Sequence, residues 1–291
     1  MRLARFEYGG RASTGIIDGD SVIDCGGLGP HEPAIAAILQ LSPEARAKLR
    51  DGALSRGQKY PLADVTLLAP ISRPGKFLCV GLNYLDHIEE TGAKRPVRPT
   101  IFNKQSTCVI GPGAAIHKPK ASEQVDYEGE LGMVIGRRCR HVPKERAADV
   151  IGGFLIVNDV SARDWQAHSP TWTMGKSFDT HGPIGPCVVT ADEIGDPHRL
   201  DIRTWVNGEL RQNSNTRQLL FNCYDLVEYL STVFTLEPGD IIATGTPGGV
   251  GFKMAPPRYL AEGDTVRIEI QEIGELQNTV VAEPTGNAII Q

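Results

Sequence analysis

Apolar positions along the chain fall in short runs rather than in long periodic stretches. Runs of strand length stand at Leu3 to Tyr8, Gly15 to Ile17, Phe77 to Val80, Leu131 to Ile135, Phe154 to Val157, Cys187 to Thr190, Asp240 to Ala243 and Thr265 to Ile270. Gly, Pro and Asp separate them at close intervals, as a curled or sandwiched sheet requires. Helical spacing is confined to a few places. Pro43 to Leu49 is polar and helical, Tyr84 to Thr91 ends at a candidate C-cap, Gly92, and Lys144 to Val150 leads into the apolar run that ends in Asn158-Asp159. Over about Gln218 to Phe234, Leu219, Leu220, Cys223, Leu226, Val227 and Leu230 predict a helix with one apolar face laid on the sheet. The texture changes near residue 70. We therefore expect a small N-terminal α/β domain over 1–70 and a β-rich α+β domain over 71–291, with a frayed tail from Pro284 to Gln291.

Composition narrows the partners. The 291 residues are 41% hydrophobic and 22% charged, with 32 Gly and 20 Pro, which suits a folded, loop-rich chain. A formal net charge of −5 argues against a protein that neutralises a nucleic-acid backbone. The longest apolar stretch, Val150 to Val157, is far short of the ~20 residues a membrane helix needs. The opening Met1-Arg2-Leu3-Ala4-Arg5 lacks the apolar core of a secretory signal, so the chain reads as cytoplasmic. Six cysteines without a CxxC pair offer neither a zinc knuckle nor a redox dithiol, and read as buried free thiols.

Chemistry concentrates in five segments. In Asp126-Tyr127-Glu128-Gly129-Glu130-Leu131, strand alternation places Glu128 and Glu130 side by side on one face, with Leu131 and Met133 on the other. Either both face water on an exposed strand, or two adjacent carboxylates beside an apolar run need a proton, a basic side chain or a metal ion. Asp159, closing its own apolar run, would complete three hard oxygen ligands suited to Mg²⁺ or Mn²⁺, or would equally serve to cap the next helix. Lys176, in Met174-Gly175-Lys176-Ser177, is a candidate cation for that cluster or a solvated surface lysine; Pro170 breaks any Walker A pattern. His87 and Glu90, three apart on a helix, outline a general-base dyad or an ordinary solvent-facing pair. Thr244-Gly245-Thr246-Pro247 joins an apolar strand to a glycine-rich turn that could present N–H groups and a threonine Oγ to a carboxylate, or equally be a tight turn and nothing more.

Together and in this order, these segments resemble the fumarylacetoacetate hydrolase superfamily: Asn83-Tyr84 with His87, Asp126 to Leu131, Asn158-Asp159 with Arg163-Asp164 and Gln166, Gly175-Lys176 with Phe178-Asp179, and Thr244 to Pro247. The resemblance implies a rolled mixed β-sandwich catalytic domain, a small N-terminal domain and a homodimer. It implies Mg²⁺ or Mn²⁺ on Glu128, Glu130 and Asp159, catalytic roles for His87, Glu90 and Lys176, and substrate contacts from Asn83, Tyr84, Lys104, Gln166 and Thr246. His87 and Glu90 match a dyad on a mobile lid helix. Leu82 departs from the pattern, standing where many acylpyruvate-cleaving members carry arginine. The expected activity is hydrolysis of a C–C bond in a 2,4-diketo acid, of acylpyruvate or diketo-deoxy sugar-acid type, through a metal-stabilised pyruvate enolate. Decarboxylation of a β-keto acid such as oxaloacetate, lyase chemistry or isomerisation on the same template is the alternative, and a non-catalytic metal-binding role is a third.

Overall fold

The computed structural model describes residues 1–25 and 34–286. Of the tail expected to fray, 284–286 carry no regular structure and 287–291 lie outside the described residues. The fold is α+β and rich in strand. Twelve strands among the described residues join one mixed sheet. At its middle, Gly182–Thr190, Ile151–Asn158, Gly129–Ile135 and Ile241–Ala243 lie in that order, each antiparallel to the next. Ile241–Ala243 then pairs in parallel with Phe77–Gly81, and Thr100–Asn103 closes that edge. On the other flank Arg2–Tyr8 pairs with Gly182–Thr190, setting Leu3 opposite Val188, so the N-terminal segment extends the same sheet. A second sheet of five strands runs in the order Glu209–Asn215, Asp201–Val206, Thr265–Ile270, Gly274–Ala282 and Ile116–Lys118.

The central strands are buried on both faces, which is why they read as unbroken apolar runs. Period two divides their side chains between two cores. Leu131, Met133, Phe154 and Ile156 pack with Ile202, Val266 and Ile268 of the five-stranded sheet and with Leu226 and Leu230 of the helix Cys223–Val233. Val134, Leu155, Val157 and Ile241 belong to the opposite core, with Phe77, Phe102 and Ile35 and Ile38 of the helix Ala34–Leu39. Glu130 shares the face of Val134, so the carboxylates project from the second side, away from Leu131 and Met133.

Several boundaries differ from the sequence reading for local reasons. The long helix starts at Cys223, five residues later than the apolar spacing indicates. Asn222 accepts from the N–H groups of Tyr224 and Asp225, while Asp225 accepts from the Asn222 N–H, a reciprocal cap that fixes the start. The polar helix is longer than expected, Pro43–Arg56, begun by the Ser42 side chain accepting from Ala45 N–H. Lys144–Asp149 is a 3₁₀ segment. Leu85–Thr91 does end at Gly92, in the left-handed conformation at φ 67°. Four of the six cysteines are buried and Cys25 and Cys139 are half-buried, all with free thiols.

Candidate active site and metal centre

Strand pairing brings the acidic residues together. Gly129 lies opposite Asn158 and Glu130 opposite Val157, so Glu128, just before one strand, sits beside Asp159, just after the other. Two bonds hold the junction: Asp159 N–H donates to the Glu128 carbonyl at 2.9 Å, and Glu128 N–H donates to Asn158 Oδ1 at 3.1 Å. Glu128, Glu130 and Asp159 are all buried, and each offers an oxygen within 4.8 Å of the others.

Cations surround this cluster from three directions. Lys176, only 2% exposed, donates from Nζ to Glu128 Oε2 and Asp159 Oδ2, both at 2.7 Å. Lys104 Nζ donates to Asp159 Oδ1 at 2.6 Å and to the Val160 carbonyl at 3.2 Å. Arg163 pairs with Glu128 Oε1 at 2.6 Å, grips Asp126 Oδ2 through Nε and Nη2, and donates to Gln166 Oε1 at 3.1 Å. Burial opposes charge on Glu128, yet Lys176 and Arg163 outweigh it and pull its carboxyl down to about 2. Burial likewise opposes charge on Lys176, and Asp159 and Glu128 overcome it and raise its pKa.

Glu130 is the exception. Its Oε2 accepts from the Gly245 N–H at 2.8 Å, and no lysine or arginine among the described residues lies within ion-pair distance. Burial, reinforced by the charges of Asp159 and Glu128, pushes its carboxyl well above the usual range. This is the behaviour of a carboxylate trio short of one positive centre, and a hard divalent ion fits its all-oxygen donor set. Formal charges agree. Asp126, Glu128, Glu130 and Asp159 face Lys104, Arg163 and Lys176, leaving one net negative charge that a divalent ion would convert to one positive. Counting Lys176 alone gives neutrality, so Lys104, Arg163 and Asp126 shift the balance toward an anionic ligand.

Across the site, His87 Nδ1 lies 2.9 Å from Glu90 Oε2. An ionised carboxylate only accepts, so Nδ1 carries the hydrogen and Nε2 is left as the proton-accepting atom. The other Glu90 oxygen accepts from the Gly249 N–H at 2.8 Å. Gln212 braces the same turn, accepting from Gly129 N–H and donating to Thr246 Oγ1 and the Pro247 carbonyl, while Thr246 Oγ1 donates to the Gly129 carbonyl. Gly249 is required here: at φ +102°, a Cβ would meet the Arg211 carbonyl at 2.0 Å.

A cavity of about 440 Å³ unites these groups. His87, Glu128, Glu130, Lys176, Gln166 and Thr246 line it, together with Arg163, whose weight as a site charge the sequence reading passed over. Leu82, Trp172, Phe102 and Val80 form an apolar wall. Trp172 fits because residue 81 is glycine; a Cβ there would stand 2.2 Å from its ring. Asp159, Lys104 and Glu90 are out of the lining, Lys104 bonded to Asp159 and Glu90 to His87. Asn83 and Tyr84 are also out of it. Asn83 spends its amide on backbone, donating to the Phe221 and Thr244 carbonyls and accepting from Phe221 N–H. Tyr84 is fully buried, with no hydrogen-bond partner for its hydroxyl among the described residues.

Comparison with known proteins gives the family. Residues 76–281 match the family described as fumarylacetoacetate (FAA) hydrolase, C-terminal. The chain belongs to the fumarylacetoacetate hydrolase family. Residues 1–70 match an Rv2993c-like N-terminal family. Among relatives of the fumarylacetoacetate hydrolase fold, the mitochondrial oxaloacetate tautomerase of Xenopus laevis is 41% identical over 288 residues, covering 97% of this chain and 90% of its own. The fumarylacetoacetate hydrolase of psychrophilic Exiguobacterium antarcticum superposes with a TM-score of 0.86 at 37% identity, covering 97% of this chain and all of its own. Maleylpyruvate hydrolase from Sphingobium sp. SYK-6, solved with manganese(II) and pyruvate, superposes at 0.82 with 33% identity over 98% of this chain and all of its own. The protein is thus an enzyme of this family, whose members include hydrolases and tautomerases. No helix among the described residues is long and apolar enough to cross a membrane.

Proposed function

We propose that this enzyme transfers a proton at the carbon between two carbonyl groups of a short 2-oxo acid, interconverting keto and enol forms of an oxaloacetate-type acid. The observation that carries the reading is His87, fixed by Glu90 with Nε2 as its free base, lining the same cavity as Glu128, Glu130 and Lys176. A divalent ion held by Glu128, Glu130 and Asp159 would supply Lewis acidity toward the carboxylate and keto oxygens of the acid. Arg163, beside Glu128, and Gln166 also line the cavity and present donors for an anionic group. His87 Nε2 takes the proton from C3 and delivers it to the former keto oxygen, the enol-to-keto direction running in reverse; Glu90 stabilises the imidazolium formed between, and Leu82, Trp172 and Phe102 keep bulk water from the exchange. No bond between heavy atoms is broken. The naming of a 41% identical relative as an oxaloacetate tautomerase supports placing this reaction ahead of hydrolysis.

Hydrolysis of a 2,4-diketo acid is the second reading, favoured by likeness to maleylpyruvate hydrolase. There His87 would take a proton from water as it attacks the remote carbonyl, and pyruvate would be released. Two assays run together separate the readings: decay of the enol absorbance of oxaloacetate, and pyruvate release from oxaloacetate and acylpyruvates, each with Mg²⁺ and with chelator. We expect faster enol decay without pyruvate release, and a His87→Ala loss of about 10²-fold or more. Pyruvate release from an acylpyruvate with no effect on enol decay would replace the first reading by the second.

A further inference from the structure

The short helix Leu85–Thr91 carries the dyad, yet two turns of helix are too few to hold a position alone. Its N-cap residue, Tyr84, provides no capping side chain. Asp86 takes that part and reaches further. Its Oδ1 accepts from His87 N–H at 2.7 Å and from Gly248 N–H at 3.3 Å, and its Oδ2 accepts from the Ser214 hydroxyl. Two of the three donors therefore come from outside the helix. Asp86 and Glu90 are four apart and share a face, so they grip the consecutive amides of Gly248 and Gly249. The same turn begins at Gly245, whose N–H holds Glu130. One stretch of five residues thus ties the acidic trio at its start to the dyad's helix at its end.

We propose that Asp86 is a positioning residue: by joining its helix to Gly248 and to Ser214 on strand Glu209–Asn215, it holds His87 in register with the acidic trio. Asp86 does not line the cavity, so it acts through His87. The inference rests on the proton-transfer role given to His87, and its test includes a readout that does not.

Asp86→Ala, Asp86→Asn and Ser214→Ala are compared with the wild type in the full chain. Steady-state kinetics on oxaloacetate enol, Mn²⁺ calorimetry and amide hydrogen exchange over 85–92 and 245–251 are measured. Asp86→Ala is expected to lower kcat roughly 10- to 100-fold, as a base displaced by about an ångström would. KM and Mn²⁺ affinity should hold, and exchange should accelerate over 85–92. Asp86→Asn should restore most of kcat, because its amide oxygen still accepts from His87 and Gly248, and Ser214→Ala should fall between. Unchanged kcat and exchange in Asp86→Ala would overturn the proposal, as would equal losses of kcat and Mn²⁺ affinity. Should the wild type leave the enol untouched, the proton-transfer reading fails, and the exchange data alone decide whether Asp86 fastens the helix.

Discussion

Asn83 offers a sharp test, because its residue type suggests substrate contact and its surroundings assign it to the framework. The side chain is fully buried and makes three bonds: 2.9 Å to the Phe221 carbonyl, 2.7 Å to the Thr244 carbonyl, and 2.9 Å from the Phe221 N–H. At ~1 kcal/mol net for each bond, plus the cost of buried backbone groups left unpaired, Asn83→Ala should destabilise the fold by about 3–5 kcal/mol. Asn83→Asp is nearly isosteric but points an oxygen at two carbonyls, so the folded state favours the protonated acid and its pKa lies above the unfolded value of ~3.9. The folded state then binds the extra proton, so the deficit is smallest at low pH and grows as pH rises through and beyond that value. Urea unfolding followed by circular dichroism at several pH values measures both effects. Asn83→Ala stability within ~0.5 kcal/mol of wild type, accompanied by a raised KM, would refute the framework role and return Asn83 to the substrate.

Three further outcomes follow from buried titratable groups. His181, fully buried and donating to the His117 carbonyl at 3.0 Å, has its pKa pushed down to about 3, chiefly by burial. As pH falls below ~6.5 the unfolded chain takes up a proton that the folded one refuses, so His181 costs ~1.4 kcal/mol of stability per pH unit down to about 3. His181→Gln should flatten the stability profile by that slope; parallel profiles would show that the ring is charged when folded. Lys176→Met should destabilise the metal-free protein by about 3 kcal/mol, the low end for a broken buried pair because Arg163 and Lys104 remain on the same carboxylates. Mn²⁺ should recover part of that loss in thermal unfolding, and no recovery would argue against an ion in the trio. Glu130→Gln should weaken Mn²⁺ binding about tenfold or more by calorimetry, since affinity follows ligand charge; equal affinity would remove Glu130 from the ligand set.

Much of the site was readable because it depends on spacing along strands. Glu128 and Glu130 are two apart, and Asp159 ends the partner strand, so alternation and antiparallel pairing suffice to gather them. His87 and Glu90 are three apart on a helix whose end Gly92 announces. What escaped was set by contacts distant in sequence. Arg163 looks like an ordinary helix residue until the chain brings Asp126, 37 positions earlier, against it. Likewise nothing local distinguishes Asn83, bonded to Phe221 and Thr244, from a ligand-binding amide. The hairpin Asp201–Val206 and Glu209–Asn215 did carry a signal, with Ile202, Thr204 and Val206 alternating inward. Asn207-Gly208 at positive φ makes the tight turn such strands need, but the polar outer positions hid the run.

The strand Arg2–Tyr8 is stitched to Gly182–Thr190, next to the strand that delivers Asp159. A shortened protein starting at residue 71 would bare the margin of Gly182–Thr190, a row of peptide groups open to docking by foreign strands. The first 70 residues therefore act as a selvedge for the catalytic fabric, and grafting them onto another enzyme would require matching a seam of hydrogen bonds as well as a joint.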